Sequence, residues 1–196
     1  MARNRDPFAN ALRTLRERAI AGVFSPGKPI IILDEAQALG LSTTPVREAL
    51  AWLGGEGLIS RAPAGGYAGL SLDPMGLVGR YRLRLHCLET GLSSAATLNT
   101  FQPDAEPARL FRHIVAGAAD PALMGLYDRT QNVLQRFAGA EAKLLGDMPL
   151  ALERVTGHLA RGDTEAADAE LRAFHHRRIN AAALLAESEM PEAGAV

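Results

Sequence analysis

Long hydrophobic runs are missing from this 196-residue chain, and so are the residues that staple small folds together. The longest apolar stretch, Pro29-Ile30-Ile31-Ile32-Leu33, is far too short to cross a bilayer. A single cysteine, Cys87, excludes an intrachain disulfide framework and any cysteine-cluster zinc site. Aromatic residues make up only 5%, with one Trp, which weighs against a sheet-rich core. The opening Met-Ala-Arg-Asn-Arg-Asp has no apolar segment of the signal-peptide kind, so a cytoplasmic location is expected. No grouping for covalent or acid–base chemistry stands out. His86 and Cys87 are adjacent helical positions that point in different directions, and no Asp/Glu pair sits in a context that suggests proton transfer. The chain is therefore not expected to be an enzyme, and no cofactor is expected.

Net charge is almost absent as well, at −1, but it is unevenly distributed. Residues 1–72 carry eight Lys/Arg against six Asp/Glu, and the remainder carries thirteen against sixteen. A mildly basic head on a mildly acidic body permits contact with nucleic acid without establishing it. What the chain does have is alanine, leucine and helical periodicity. Phe8, Leu12, Leu15, Ala19 and Val23 recur at spacings of three and four, predicting a helix from Phe8 to about Val23 that Ser25-Pro26-Gly27 stops. Lys28–Leu33 reads as a short buried extended segment, and Asp34 as the cap of a helix over Glu35–Leu39 that Gly40 ends. Ser42 is a natural N-cap, with Pro45 in the first turn that follows and Val46, Leu50 and Leu53 facing inward. Gly54, Gly55 and Gly57 weaken and then end this helix, at about 1 kcal/mol per interior glycine. Leu58–Ala62 and Tyr67–Leu72 read as a β-hairpin around Pro63-Ala64-Gly65-Gly66.

Beyond Asp73-Pro74 everything reads as helix. The segments are Leu77–Leu98, Ala108–Ala119, Pro121–Leu145, Pro149–Arg161 and Thr164–Leu185. Asn99–Pro107 is a polar break, Asp163 an N-cap, and Glu187–Val196 a frayed tail. The fold class expected is α+β, a winged helix-turn-helix followed by an all-α bundle. The domains are 1–73 for DNA binding, 74–186 as a helical bundle with apolar stripes enough to form a dimer, and 187–196 as a flexible tail. In a winged helix-turn-helix the helix after the turn presents its N-terminal residues to base edges in the major groove. Here those residues are Ser42, Thr43, Thr44 and Arg47. Arg47 can grip a guanine with two hydrogen bonds or neutralise a phosphate. The Gly65-Gly66 tip can lie along the minor groove, with Arg61 at the hairpin base reaching a phosphate.

At these residues the sequence resembles the GntR family of bacterial transcriptional regulators, FadR subfamily. The resemblance rests on Leu15-Arg16, Ala21-Gly22, Pro26-Gly27 and Leu39-Gly40-Leu41-Ser42, then Thr44-Pro45-Val46-Arg47-Glu48-Ala49-Leu50 and Leu53 with Glu56-Gly57-Leu58-Ile59. It continues in the body at Leu88-Glu89, Ala95-Ala96, Asp120-Pro121, Gly162-Asp163 and Ala166-Ala167, with the chain shorter than the family pattern by about one helix between Ala96 and Ala108. It implies a homodimer that binds double-stranded DNA at an inverted repeat and responds to a small-molecule effector, an organic acid being one candidate.

The departures from the family are specific. Members usually carry an arginine directly after the capping serine, where this chain has Thr43, and a polar or basic start to the preceding helix, where it has Ile31-Ile32-Leu33. One lost bidentate base contact removes about 1–3 kcal/mol of discrimination. An alternative reading follows, a helical ligand-binding or scaffolding protein whose winged domain no longer reads DNA. Many relatives also bind a divalent metal in the body through an Asp-x-x-x-His pair and two further histidines. The resemblance carries those four positions onto Pro107, Phe111, Leu152 and Phe174, none of which offers a lone pair. His113, His158, His175 and His176 lie nearby but out of phase, since two residues rotate a helical side chain by about 200°. They are expected to be solvent-facing or hydrogen-bonded, and no metal is expected. Arg80, Arg82 and Arg84, with Phe111, Leu152 and Phe174, are the candidate effector-binding residues.

Overall fold

A computed structural model describes residues 6–94 and 107–188, which divide into two compact units at Ser71. In the first, α1 (Pro7–Ile20) starts at Asp6, whose Oδ1 accepts the Ala9 N–H at 3.0 Å. The helix ends at Gly22, which takes φ +73° while the Val23 N–H donates to the Arg18 carbonyl at 3.0 Å. The hydrophobic stripe expected to reach Val23 therefore stops short, and Val23 is exposed beyond the left-handed residue. Strand β1 is only Pro29–Ile30. Helix α2 (Ile32–Leu39) begins ahead of the expected cap at Asp34. The Glu35 N–H already donates to the Ile31 carbonyl, so Asp34 and Glu35 fall within the first turn, at the positive end of the helix dipole. Ile31 and Leu33 are left more than half exposed.

Gly40, at φ +63°, ends α2, and α3 (Thr43–Glu56) follows after Ser42. Val46, Ala49, Leu50 and Leu53 are completely buried, and α3 packs through them on the α1 side that buries Ala11, Leu15 and Ala19. The hairpin is shorter than the sequence suggests, with β2 at Ile59–Arg61 and β3 at Tyr67–Gly69. β3 lies between β1 and β2 in a three-stranded antiparallel sheet, with Ser60 opposite Ala68 and Arg61 opposite Tyr67. A Cβ at Gly69 would fall 2.2 Å from the Ser25 carbonyl oxygen, so the loop after α1 crosses the sheet where only glycine fits.

The second unit is all helical. Its elements are α4 (Pro74–Leu92), α5 (Pro107–Ala116), α6 (Pro121–Leu134), a 3₁₀ turn at Gln135–Phe137, α7 (Ala138–Leu144), α8 (Met148–Ala160), α9 (Thr164–Asn180) and α10 (Ala182–Ser188). Asp73, Asp120 and Asp163 cap α4, α6 and α9 through their carboxylates. α4 is the central helix, packed on α5, α6, α9 and α10. It reaches α5 so closely that a Cβ at Gly91 would stand 2.2 Å from the Ile114 carbonyl oxygen.

Several boundaries differ from the sequence reading. α4 starts at Pro74 and ends at Leu92 rather than running from Leu77 to Leu98, and α5 stops at Ala116 rather than Ala119. The helix read as Pro121–Leu145 is broken by the 3₁₀ turn that buries Phe137, and the one read as Thr164–Leu185 is broken at Ala181. Glu187 and Ser188, expected in a flexible tail, belong to α10. The rest of that tail, most of the polar break at 99–107 and most of the shortened stretch between 96 and 108 lie outside the described residues. The architecture is α+β, a winged helix followed by a helical bundle. Among the described residues no helix is long and apolar enough to cross a membrane.

Candidate functional site

The outward side of α3 is set by its buried side. With Val46, Ala49, Leu50 and Leu53 inside, helical spacing turns Thr44, Arg47, Glu48 and Ala51 outward, and all four are exposed. Ser42 is exposed at the N-cap with φ −72° and ψ 164°, but its hydroxyl does not bond the helix start as a cap normally does. Thr43 is half-buried beside it. Glu48 and Ala51 were not singled out from the sequence. Counting four and seven residues on from Thr44 would have found them.

Among the described residues the first unit divides its cations into two groups. Three arginines of α1 are tied to glutamates. Arg13 meets Glu17 at 3.6 Å, Arg16 grips both carboxylate oxygens of Glu56 at 2.6 and 3.2 Å, and Arg18 meets Glu35 at 2.5 Å. Burial pushes the Glu35 carboxyl above the usual range, against the pull of Arg18. Lys28, Arg47 and Arg61 are exposed and form no ion pair among the described residues. The wing tip is Gly65 and Gly66, at φ +94° and +78°, closed by the Ala62 N–H on the Gly66 carbonyl at 3.1 Å. Tyr67 slides beneath α3, its ring 3.3 Å from where a Cβ on Gly54 would be. Arg61, directly opposite Tyr67 in the ladder, shares that face of the hairpin and so lies on the α3 side. These residues together make a surface that is able to meet phosphate and base edges.

In the bundle the six candidate effector residues separate. Arg82 is exposed, in a surface groove with Glu89, His176 and Asn180, and Arg80 is half-buried. Arg84, Phe111, Leu152 and Phe174 belong to the interior. Phe111 and Phe174 meet edge-on at 5.7 Å between centroids. The Arg84 guanidinium, 2% exposed, lies 5.4 Å from the Phe111 ring, 5.8 Å from Phe174 and 5.4 Å from Tyr81. Its Nε donates to His175 Nε2 at 3.0 Å and its Nη1 to Gln131 Oε1 at 3.2 Å, both neutral acceptors. Burial lowers the Arg84 pKa, opposed by the field of Glu141.

A second buried arginine lies on the same helix as His175. Arg178 donates Nε to Glu141 at 2.5 Å, Nη2 to Asp147 at 2.9 Å and Nη1 to the Phe174 carbonyl at 3.1 Å. Tyr81 donates to the other Glu141 oxygen at 2.7 Å, and burial together with that carboxylate drives its phenol pKa far up. For Asp147, burial works upward, but hydrogen bonds from Arg178 and Arg177 hold its carboxyl below the usual range. None of Gln131, Glu141, His175 or Arg178 was picked from the sequence as part of a site. Their partners lie dozens of residues away, and no local spacing announces them.

The residues do not fit the divalent metal that the family resemblance implies. Phe111, Leu152 and Phe174 present only carbon to the core. Both nitrogens of His175 are engaged. Nδ1 donates to the Leu171 carbonyl at 2.7 Å, which leaves Nε2 as the acceptor for Arg84. Burial, reinforced by the Arg84 cation, lowers the His175 pKa well below the imidazole range, so the ring is neutral. His176 is exposed, His113 is half-buried, and the half-buried His158 has its Nδ1 3.0 Å from Arg161. Among the described residues no three His, Cys, Asp or Glu side chains gather as a metal would require.

No protein-family model and no curated protein matches the chain. Solved structures do. McbR/YncC of E. coli superposes with a TM-score of 0.65 at 18% identity, over 93% of this chain and 98% of that one. A transcriptional-regulator candidate named GntR, from Rhodococcus sp. RHA1, gives 0.70 at 17% identity, over 89% and 96%. Lar, described as controlling expression of the Listeria monocytogenes agr system, gives 0.52 at 14% identity, over 95% and 99%. At such identities the likeness is one of fold, and it extends over both units.

Proposed function

We propose that this chain is a DNA-binding transcriptional regulator of the GntR type, with residues 1–73 reading an operator and residues 74–186 binding a small-molecule effector and forming a homodimer. The observation that carries this reading is the outward stripe of α3, where Thr44 and Arg47 stand exposed beside the N-cap Ser42, while the arginines of α1 are occupied by glutamates. The similarity in fold to structures described as regulators supports it. Dimerisation follows from reach. One recognition helix contacts too few base pairs for genomic specificity, and two on an inverted repeat suffice. Ser42, Thr43, Thr44 and Arg47 face the major groove, the Gly65-Gly66 tip the minor groove, and Arg61 a phosphate.

A second reading rests on the exposed Ile31 and Leu33 at the start of α2, an apolar edge where a DNA-facing helix would gain from polar groups. On that reading the winged unit is a protein-docking module. Selection of bound sequences from a random DNA pool separates the two. DNA binding yields an inverted repeat whose affinity falls steeply with salt, since each phosphate contact contributes about 0.9 to the log–log slope. Arg47→Ala then weakens binding to every sequence, and Thr43→Arg tightens it and shifts base preference. Failure to enrich any sequence, with wild-type and Arg47→Ala proteins indistinguishable, leaves the docking reading.

A further inference from the structure

The middle of the outward side of α3 is not where its arginine stands. The buried Val46, Ala49, Leu50 and Leu53 fix the inward direction of the helix, at about 100° of rotation per residue. Thr44, Glu48 and Ala51 lie within about 30° of the opposite direction, and Arg47 lies about 70° to one side of it. Along that middle line α3 presents a hydroxyl, a carboxylate, a methyl and then, at Gly55, no side chain. The charged side chain on it is therefore an anion. Glu48 also differs from the other glutamates of this unit. Glu17, Glu35 and Glu56 each hold an arginine of α1, whereas the exposed Glu48 holds no cation among the described residues. Arg47 precedes it in the chain but points about 100° away, so the two do not face each other.

We propose that Glu48 is a base-selecting residue of α3, accepting a hydrogen bond from the N4 amino group of a cytosine in each half-site, and that its charge suppresses binding to unmatched duplex. The proposal rests on the reading of α3 as the helix that enters the major groove, and names a base for it. A free carboxylate brought against DNA is repelled by every phosphate, and only a hydrogen bond from a base edge offsets that repulsion. The major groove offers two amino donors, adenine N6 and cytosine N4. Beside the adenine donor stands the acceptor N7, which meets the second carboxylate oxygen as like against like. Cytosine presents its donor with no acceptor on the same base, so a group that can only accept favours it. The other exposed side chains do not make this choice. The hydroxyls of Ser42 and Thr44 bond donors or acceptors alike, and Arg47 grips a guanine or a phosphate.

The test uses the full-length chain and two variants, Glu48→Gln and Glu48→Ala, each put through selection from a random duplex pool. Both variants keep the fold, since the side chain is exposed and unpaired and both replacements are good helix formers. The expected wild-type sites carry cytosine at one fixed position of each half-site. Glutamine offers a donor beside its acceptor and matches adenine N6 and N7, so Glu48→Gln turns that same position to adenine. Glu48→Ala accepts any base there and leaves the other positions as they were. Replacing the cytosine in a selected site weakens the wild type about 5- to 150-fold and leaves Glu48→Ala unaffected. Affinity for unmatched duplex rises in both variants as the repulsion is removed. Identical base preferences in all three proteins would overturn the proposal while leaving the regulator reading in place. So would a Glu48-dependent position that the wild type fills with a base other than cytosine. A wild type that selects no sequence at all would remove both.

Discussion

The two units place their arginines in opposite settings. In the winged unit, Arg13, Arg16 and Arg18 reach across the surface to glutamates while Lys28, Arg47 and Arg61 extend into solvent. In the bundle, Arg84 and Arg178 are drawn inside among aromatic rings, with a centroid-to-guanidinium distance of only 3.3 Å between Phe174 and Arg178. A surface ion pair contributes little and tolerates loss, because water compensates whichever partner remains. A buried one has no such substitute, so its parts become interdependent. The first arrangement lets a cation exchange its partner for water or another ion at little cost. The second suits an interior in which one charge change is felt throughout.

The largest expected effect lies in the bundle. Arg178→Met leaves Glu141 buried and uncompensated and should cost about 3–5 kcal/mol in denaturant unfolding of the bundle; a loss below about 1 kcal/mol would break the contrast. In the winged unit the analogous Arg16→Met removes a bidentate but partly solvated pair, at 31% and 21% exposure, and should cost about 1 kcal/mol or less by the same assay.

Acid sharpens the difference. All five histidines lie in the second unit. His175 has its folded pKa pushed down, so below the unfolded imidazole value of about 6.5 protons favour the unfolded chain. Stability is complete above that pH and falls below it by up to about 1.4 kcal/mol per pH unit. His175→Gln should flatten the dependence in the bundle, and the winged unit, lacking histidine, should show no such component. An unaltered slope in His175→Gln would mean that other groups carry it. The smallest effect is at Arg13, paired with Glu17 while both are about two-thirds exposed, where Arg13→Ala should change stability by no more than about 0.5 kcal/mol.

The same contrast governs what could be read from the sequence. The winged unit is legible because its determinants are local. Gly22, Gly40 and Gly57 mark the helix ends by their left-handed backbone, and the Val46, Leu50, Leu53 stripe fixes which side of α3 faces out. The error at α2 arose where an apolar run, Ile30 to Leu33, passes from strand into helix without a polar cap to mark the change. In the bundle the helices were legible and the interior was not. Arg80, Arg82 and Arg84 look alike in the sequence, yet one is half-buried, one exposed and one enclosed. What distinguishes Arg84 is its acceptors, 47 and 91 residues away. Such pairings depend on how the helices pack, and no periodicity within α4 encodes them.

Trp52 has a consequence of an optical kind. It is the chain's single indole, 56% exposed on α3, edge-on to Phe8 at 6.2 Å, with its Nε1–H donating to Glu56 at 2.8 Å. Its emission therefore belongs to the winged unit alone, and unfolding of the bundle leaves it without a direct signal. The chain carries its own reporter on the very helix whose outward face is in question. Quenching or a spectral shift on adding duplex DNA would register contact at α3 without any label being introduced.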